Sequence, residues 1–186
     1  YYSPRMDHAA AEKWGEGIIA TSACLAGEIP RALMNDDYDK AKQIYEHYAN
    51  CFDEFYIELQ IIEFEMQREA NRRLVEFAQT MGAPMIAACD SHYLDPSHAD
   101  THDLLMYIRQ GKTKLDAVEK DEDVWDFEVR NLFYRSARQM EKVFRGGFVD
   151  RSKNTWTAFE DDVFTDKVFK KAMQNTLKVA RKIENI

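Results

Sequence analysis

The sequence predicts an α/β fold in which short parallel strands alternate with helices. Three apolar stretches, residues 18–21, 55–59 and 84–88, have the length and composition of buried strands. Between them apolar residues recur at helical spacing, most clearly over residues 63–81. Because strand and helix alternate with short connections, we expect the strands to run parallel and to be joined by right-handed crossovers.

Most of the other segments are predicted to be helical. Gly82 ends the strongest helix in the usual C-terminal position, and Pro96 opens a helix whose apolar side is formed by Leu104, Leu105 and Ile108. The remaining segments are predicted as helices at 8–14, 28–34, 38–52, 137–144 and 162–183, a further strand at 130–134, and a turn or loop at 146–157.

Composition and charge limit the class of protein. The chain has 186 residues, enough for one compact domain, and carries 33 acidic against 25 basic residues for a net charge of −8. This acidic excess, without an aromatic and basic stripe, predicts weak and salt-sensitive DNA binding at most by the isolated chain. The three cysteines lack a close spacing, the longest apolar stretch is too short to cross a membrane, and no leader opens the chain. A cytoplasmic protein with reduced thiols is therefore expected.

Two loops that follow predicted strands carry side chains suited to metal binding. Cys24 follows the first strand, and Asp90 and His92 follow the third. Functional side chains of parallel α/β folds gather at the carboxyl ends of strands, and thiolate, carboxylate and imidazole suit zinc or related divalent metals. A lone cysteine after a strand is, however, often a small buried side chain. An Asp-x-His pair in a loop is also often a cap or a surface hydrogen-bond pair, so the residues by themselves leave both interpretations open.

Motifs dispersed along the chain occur in a characteristic order. Residues 16–30 read EGIIATSACLAGEIP, and residues 88–94 read ACDSHYL. The series continues with HDLL at 102–105, QGKT at 110–113, NLFYRS at 131–136 and a final helix that contains NTL at 175–177. Together these segments resemble the polymerase-and-histidinol-phosphatase (PHP) domain of replicative DNA polymerase III α subunits. The similarity spans nearly the whole chain, and several motifs in the right order are far more specific than any one of them.

The resemblance implies a fold and a set of metal ligands. The fold would be a distorted (β/α)7 barrel, with residues 1–115 as the C-terminal half of the barrel. Residues 116–186 would then supply a charged loop, a short strand and helix, and a closing helix of the same domain. Cys24, Asp90 and His92 match metal ligands of the family. Active members hold divalent ions such as Zn, Mn or Fe, which activate water against a phosphodiester or phosphate, and they are associated with 3′→5′ exonuclease proofreading or pyrophosphate removal. In other members the domain is only a scaffold.

The sequence departs from the family pattern in its N-terminal part. The His-x-His motif and several further ligands of the family are expected upstream of Tyr1, so the three matching ligands would form an incomplete cluster. No other histidine sits in a ligand motif. His8, His47 and His98 therefore do not replace the missing ligands. His102 is interpreted as structural because it falls within a helix, and Glu28 and Glu58 are interpreted as hydrogen-bonding residues.

Two functions from different classes follow from these observations. The favoured one is a structural and metal-binding module of a replicative polymerase, which takes part in DNA replication without polymerase activity of its own. It would meet DNA through the rest of the α chain, and its uncovered barrel edges would favour self-association. The alternative is a metal-dependent phosphoesterase or 3′→5′ exonuclease that is active once the N-terminal half is supplied. No membrane partner is expected.

Overall fold

Helices and strands alternate through the first half of the chain, as the sequence predicts. The structure is a computed structural model that describes residues 5–113, 129, 131–146, 148–150 and 155–183. Its α-helices are α1 (His8–Trp14), α2 (Glu28–Met34), α3 (Tyr38–Cys51), α4 (Glu65–Met81), α5 (Ala99–Arg109), α6 (Ala137–Gly146) and α7 (Asp166–Ile183). Its strands are β1 (Ile19–Thr21), β2 (Glu54–Gln60), β3 (Met85–Ala88), β4 (Phe148–Asp150) and β5 (Thr155–Thr157).

The chain divides into two compact units. The first comprises Tyr1–Gln60, Met66–Ala88 and Glu160–Ile186, and the second comprises Ile61–Glu65 and Cys89–Phe159. The boundary predicted at residue 115, between the C-terminal half of a barrel and the extension that follows it, stays a prediction. The acidic segment that opens the predicted extension, residues 116–128, lies outside the described residues.

A parallel sheet forms the centre of the first unit. The strand order is β1–β2–β3, with Ile19 opposite Glu54 in one pair and Ile57 opposite Met85 in the other. Both pairs are parallel, which confirms the prediction from alternating strands and helices. The carboxyl ends of the three strands therefore meet at one edge of the sheet.

The middle strand has one apolar and one polar face. Phe55, Ile57 and Leu59 are buried, and the Phe55 ring contacts the ring of Tyr45 in α3 at 6.0 Å between centroids. Alternate residues of a strand share a face, so the other face carries Glu54, Tyr56, Glu58 and Gln60. This alternation places a row of hydrogen-bonding groups on one side of the sheet and core side chains on the other.

The last helix, α7, covers the outer edge of β3. Asn175 Nδ2 donates to the Met85 carbonyl oxygen at 2.8 Å. Thr176 Oγ1 accepts from the Ala87 amide at 3.1 Å and lies 2.9 Å from the Ala87 carbonyl oxygen. These side chains bind backbone groups that a neighbouring strand would otherwise bind. The helix begins at Asp166 rather than at residue 162, because the residues before it form a separate turn.

Two segments differ from their predicted structure. The prediction of a turn or loop at 146–157 is wrong in part, because the strand Phe148–Asp150 pairs antiparallel with Thr155–Thr157. Both triplets are rich in β-branched and aromatic residues, which favour strands despite the preceding glycines. Of the strand predicted at 130–134, the described residues 131–134 form one parallel bridge, between Phe133 and Tyr93, and residue 130 lies outside the described residues.

The apolar side predicted for α5 is exposed. Leu104, Leu105 and Ile108 are 48%, 58% and 71% exposed, and Ala99 is the buried residue of this helix. The spacing of apolar residues predicts the helix but does not identify what covers its face. No helix within the described ranges is long and apolar enough to cross a lipid bilayer.

Candidate functional site

Cys24 lies in a tight loop directly after β1. The preceding Ser22 is buried and continues the pairing with β2, since its amide donates to the Tyr56 carbonyl oxygen and its Oγ accepts from the Glu58 amide, both at 2.9 Å. Ala23 then adopts φ +59°, a left-handed conformation that non-glycine residues rarely adopt. The chain therefore turns sharply at the strand end and leaves the Cys24 thiol half-buried in the loop.

Gly27 closes this loop. Its amide donates to the Cys24 carbonyl oxygen at 2.8 Å. A Cβ atom at this position would lie 2.2 Å from the Ser22 carbonyl oxygen and 3.0 Å from the Cys24 carbonyl oxygen. Only glycine allows such a close approach of backbone to backbone, so Gly27 fixes the shape of the loop that holds Cys24.

Glu58 lies on the polar face of β2 beside the end of β1. Its carboxylate accepts from Thr21 Oγ1 at 2.6 Å and from Gln60 Nε2 at 3.0 Å. The same Thr21 hydroxyl oxygen accepts from the Ala23 amide at 3.3 Å. This confirms the interpretation of Glu58 as a hydrogen-bonding residue, and it links the carboxylate to the start of the Cys24 loop.

Asp90 and His92 lie in the loop after β3. Asp90 has φ +44°, so this loop also begins with a non-glycine residue in the left-handed region, where aspartate is one of the more tolerant residues. His92 Nδ1 lies 2.8 Å from the Asp90 carbonyl oxygen. A carbonyl oxygen can only accept, so Nδ1 carries the proton of the neutral ring and Nε2 is its basic nitrogen. Histidines that bind metal are commonly oriented by such a bond from the second ring nitrogen.

A neighbouring extended segment holds the backbone of this loop. The amides of His92 and Tyr93 both donate to the Leu132 carbonyl oxygen, at 2.8 and 3.2 Å. The Tyr134 amide donates to the Tyr93 carbonyl oxygen at 2.8 Å, and the Leu132 amide donates to the Tyr93 hydroxyl at 3.2 Å. The position of His92 therefore depends on the segment around Leu132.

His102 packs against the same loop. Its ring centroid lies 5.5 Å from that of His92 and 5.3 Å from that of Tyr93. Burial, and then the neighbouring His92, lower the pKa of His102 below its ordinary value. A neutral ring in contact with two other rings agrees with the structural role predicted for this residue.

The donor types at these loops suit a divalent metal, but a complete site is not assembled in the described residues. Within the described ranges, no three His, Cys, Asp or Glu side chains come together in an arrangement that could hold a metal ion. At the second loop, Asp90 Oδ1 lies 4.0 Å from His92 Nδ1. Cys24 belongs to the first unit, whereas Asp90 and His92 belong to the second. Their convergence on one ion stays a prediction.

A second polar cluster joins α1 to α2 and α3. Glu28 Oε2 accepts from the Tyr48 hydroxyl at 2.7 Å and lies 3.0 Å from His8 Nε2, and the His8 ring stacks on His47 at 4.6 Å. The bond from Tyr48, followed by the bond from His8, lowers the pKa of Glu28, while burial and Glu28 raise the pKa of Tyr48. Glu28 is thus a hydrogen-bonding residue, as predicted.

Three residues that shape the candidate loops were not predicted from the sequence: Ser22, Gly27 and Arg135. Ser22 binds the backbone of β2 and Arg135 binds residues 61 and 63, which are distant in the sequence, whereas the role of Gly27 depends on the conformation of its own loop; residue spacing reveals none of these contacts. An indirect sign of their importance is present in the sequence, because all three residues lie inside the motifs at 16–30 and 131–136.

Comparisons with known proteins agree with these motifs. The PHP domain family matches residues 1–61. The DNA polymerase III subunit alpha of Borreliella burgdorferi is 34% identical over 145 residues, which is 77% of this chain and 12% of that protein. The subunit of Aquifex aeolicus is 32% identical over 173 residues, 91% of this chain and 15% of the relative. That of Saccharopolyspora erythraea is 28% identical over 187 residues, 100% of this chain and 14% of the relative.

The family match shows that this chain contains PHP-domain sequence over residues 1–61. More particularly, the chain is homologous over most of its length to the α subunits of bacterial DNA polymerase III, which confirms the resemblance seen in the motifs. It spans between 12% and 15% of the length of these three relatives.

Proposed function

We propose that this chain serves DNA replication as part of the PHP domain of a DNA polymerase III α subunit, acting as a structural and metal-binding module. The observation that carries this proposal is the alignment of 77–100% of the chain with α subunits of three different bacteria. In this proposal nucleotidyl transfer belongs to other parts of the polymerase, and this chain contributes no polymerase activity of its own.

The parallel sheet would be part of a distorted (β/α)7 barrel. Two features support this: all three strands are parallel, and β2 carries polar side chains on one face and apolar ones on the other. Such a polar face suits the inside of a barrel with a functional site, and the apolar face suits contact with surrounding helices.

Cys24, Asp90 and His92 would be the ligands that this chain gives to a divalent ion such as Zn, Mn or Fe. Both loops follow strand ends, both contain a non-glycine residue with positive φ, and the His92 ring is oriented through Nδ1. Backbone strain of this kind is concentrated at functional sites. When bound, such an ion would polarise a phosphoryl oxygen and lower the pKa of bound water.

The partners would be the remainder of the polymerase chain and, through it, DNA. The net charge of −8 supports an indirect contact with DNA rather than strong binding by this chain. Among the described residues, no strand pairs with the outer side of β1, and self-association through this edge of the barrel is part of the proposal. The compartment would be the cytoplasm, where the free cysteines stay reduced.

Metal binding by matched variants tests the proposal. The purified chain is titrated with Zn²⁺ and Mn²⁺ against a chromophoric chelator, beside Cys24→Ala, His92→Ala and the control His98→Ala, which alters an exposed histidine. We expect the first two substitutions to weaken binding at least about tenfold and the control to leave it unchanged. Equal affinity in all four proteins, or no binding by the unaltered chain, would contradict the ligand assignment.

An activity assay separates the module from the enzyme. The chain is incubated with Mn²⁺ and a 3′-labelled primer, alone and with a purified N-terminal PHP segment of a relative. No release of nucleotide by the chain alone is expected. Release that requires the added segment and is lost in Asp90→Asn would establish the alternative function, a 3′→5′ exonuclease.

A further inference from the structure

A buried arginine lies beside the loop that holds Asp90 and His92. The Arg135 side chain is 1% exposed. Its Nη1 donates to the Ile61 carbonyl oxygen at 2.5 Å, and its Nη2 donates to the Asn131 carbonyl oxygen at 2.9 Å and to Glu63 Oε2 at 2.8 Å. The guanidinium thus joins residues 61–63 to the start of the segment at 131–135, and both belong to the second unit.

This arginine is not explained by stability alone. A buried ion pair is often no more stable than apolar residues of the same volume, because both charges lose their hydration. The Nε atom of Arg135 is buried and has no hydrogen-bond partner in the described part of the chain, which adds to that cost. What the guanidinium provides is geometry, since its planar fork fixes three oxygen atoms at once while its Cζ lies 4.9 Å from the Phe133 ring centroid.

The segment that Arg135 holds is the one that binds the loop after β3. Arg135 contacts the Asn131 carbonyl oxygen, and the next residue, Leu132, accepts from the amides of His92 and Tyr93. Two residues further, the Tyr134 amide donates to the Tyr93 carbonyl oxygen. A displacement of residues 131–134 would therefore move the backbone of His92.

We propose that Arg135 is a positioning residue for the Asp90 and His92 loop. It fixes residues 131–134 against residues 61–63, and that segment in turn fixes the backbone from which the His92 ring reaches the Asp90 carbonyl oxygen. As a role in metal binding, the inference rests on the proposed function. As a statement about the position of the loop, it can be tested without any metal.

Hydrogen exchange gives the direct test. The full chain is compared with Arg135→Met, Arg135→Lys and the control Arg138→Met, which alters an exposed arginine of α6. In Arg135→Met we expect amides at 92–93 and 132–134 to exchange at least about tenfold faster, while the Ala87 amide in the first unit keeps its rate. Arg135→Lys should give an intermediate rate, because an ammonium group keeps the charge but cannot form the fork of bonds. Arg138→Met should match the unaltered chain.

Zn²⁺ affinity gives the second readout, measured in the same four proteins by chelator competition. We expect a loss of about tenfold in Arg135→Met, partial recovery in Arg135→Lys and no loss in Arg138→Met, as for other residues that orient a ligand. An unaltered chain that binds no Zn²⁺ would refute the metal-binding part of the proposed function, whereas the exchange rates would still decide the role of Arg135.

Unchanged exchange at 92–93 in folded Arg135→Met would overturn the inference. If Arg135→Met does not fold, Arg135→Lys decides: faster exchange confined to 92–93 and 132–134 supports the positioning role. Exchange equal to the unaltered chain refutes it.

Discussion

Replacing Asn71 by alanine removes a buried polar link between α4 and the end of β2. The Asn71 side chain is 0% exposed. Its Nδ2 donates to the Gln60 carbonyl oxygen at 2.7 Å, and its Oδ1 accepts from Gln67 Nε2 at 2.9 Å. Gln60 in turn donates to the Glu58 carboxylate, so Asn71 also holds the polar face of β2 in place.

The cost follows from the groups that would be left behind. Asn71→Ala leaves the Gln60 carbonyl oxygen and the Gln67 amide group without these partners in a buried place, at about 1–3 kcal/mol each. The Gln67 side chain can rotate to form another hydrogen bond and so recover part of this free energy, whereas the backbone carbonyl of Gln60 cannot. We therefore expect the free energy of unfolding to fall by about 2–4 kcal/mol.

Urea unfolding followed by circular dichroism measures this change. The control is Gln79→Ala, an exposed substitution on the same helix that should change the free energy of unfolding by less than about 0.5 kcal/mol. The double variant with Gln67→Ala should lose less than the sum of the two single losses, because the bond between the two side chains is lost only once. A loss in Asn71→Ala no larger than the control, or strictly additive losses, would refute the network.

Three further predictions concern the candidate loop and the elements around it. Gly27→Ala should destabilise the chain by about 1–3 kcal/mol in urea unfolding because its Cβ would meet backbone atoms, whereas Gly146→Ala, where a Cβ meets nothing within 4 Å, should be neutral or stabilising. The lowered pKa of Glu28 means that its carboxylate stabilises the fold above the unfolded pKa of about 4.3 and that this contribution is lost as the pH falls through the folded value. Glu28→Gln should therefore lower the urea midpoint at pH 7, and a difference that persists unchanged at pH 3 would contradict this. Thr176→Val should cost about 1–3 kcal/mol by leaving backbone groups of β3 unpaired, against Thr80→Val as an exposed helical control.

Most of the elements in the first half of the chain could be predicted from local signals. β1 begins at Ile19, one residue after its predicted start, and α2 spans Glu28–Met34 as predicted. Short apolar strands bounded by glycine or charged residues give a clear pattern, and Gly82, with φ +66°, ends α4 as expected. Where the local preference of the residues and their burial favour the same structure, the sequence alone was sufficient to predict the element.

The remaining features depend on contacts between distant residues. The exposed face of α5 follows the predicted spacing, yet spacing does not determine what a face packs against. The partners of Arg135 include Ile61 and Glu63, which lie more than seventy residues earlier in the chain. Similarly, residue types left the roles of Cys24, Asp90 and His92 open and the family resemblance implied that they are ligands, but whether they meet depends on contacts between distant residues.

The contact of α7 with β3 makes the two edges of the sheet different. On the β3 side, an incoming strand would have to compete with Asn175 and Thr176 for the backbone of Met85 and Ala87. On the β1 side, no strand pairs with the sheet in the described part of the chain. The C-terminal helix therefore protects the β3 edge of this sheet against the addition of a strand.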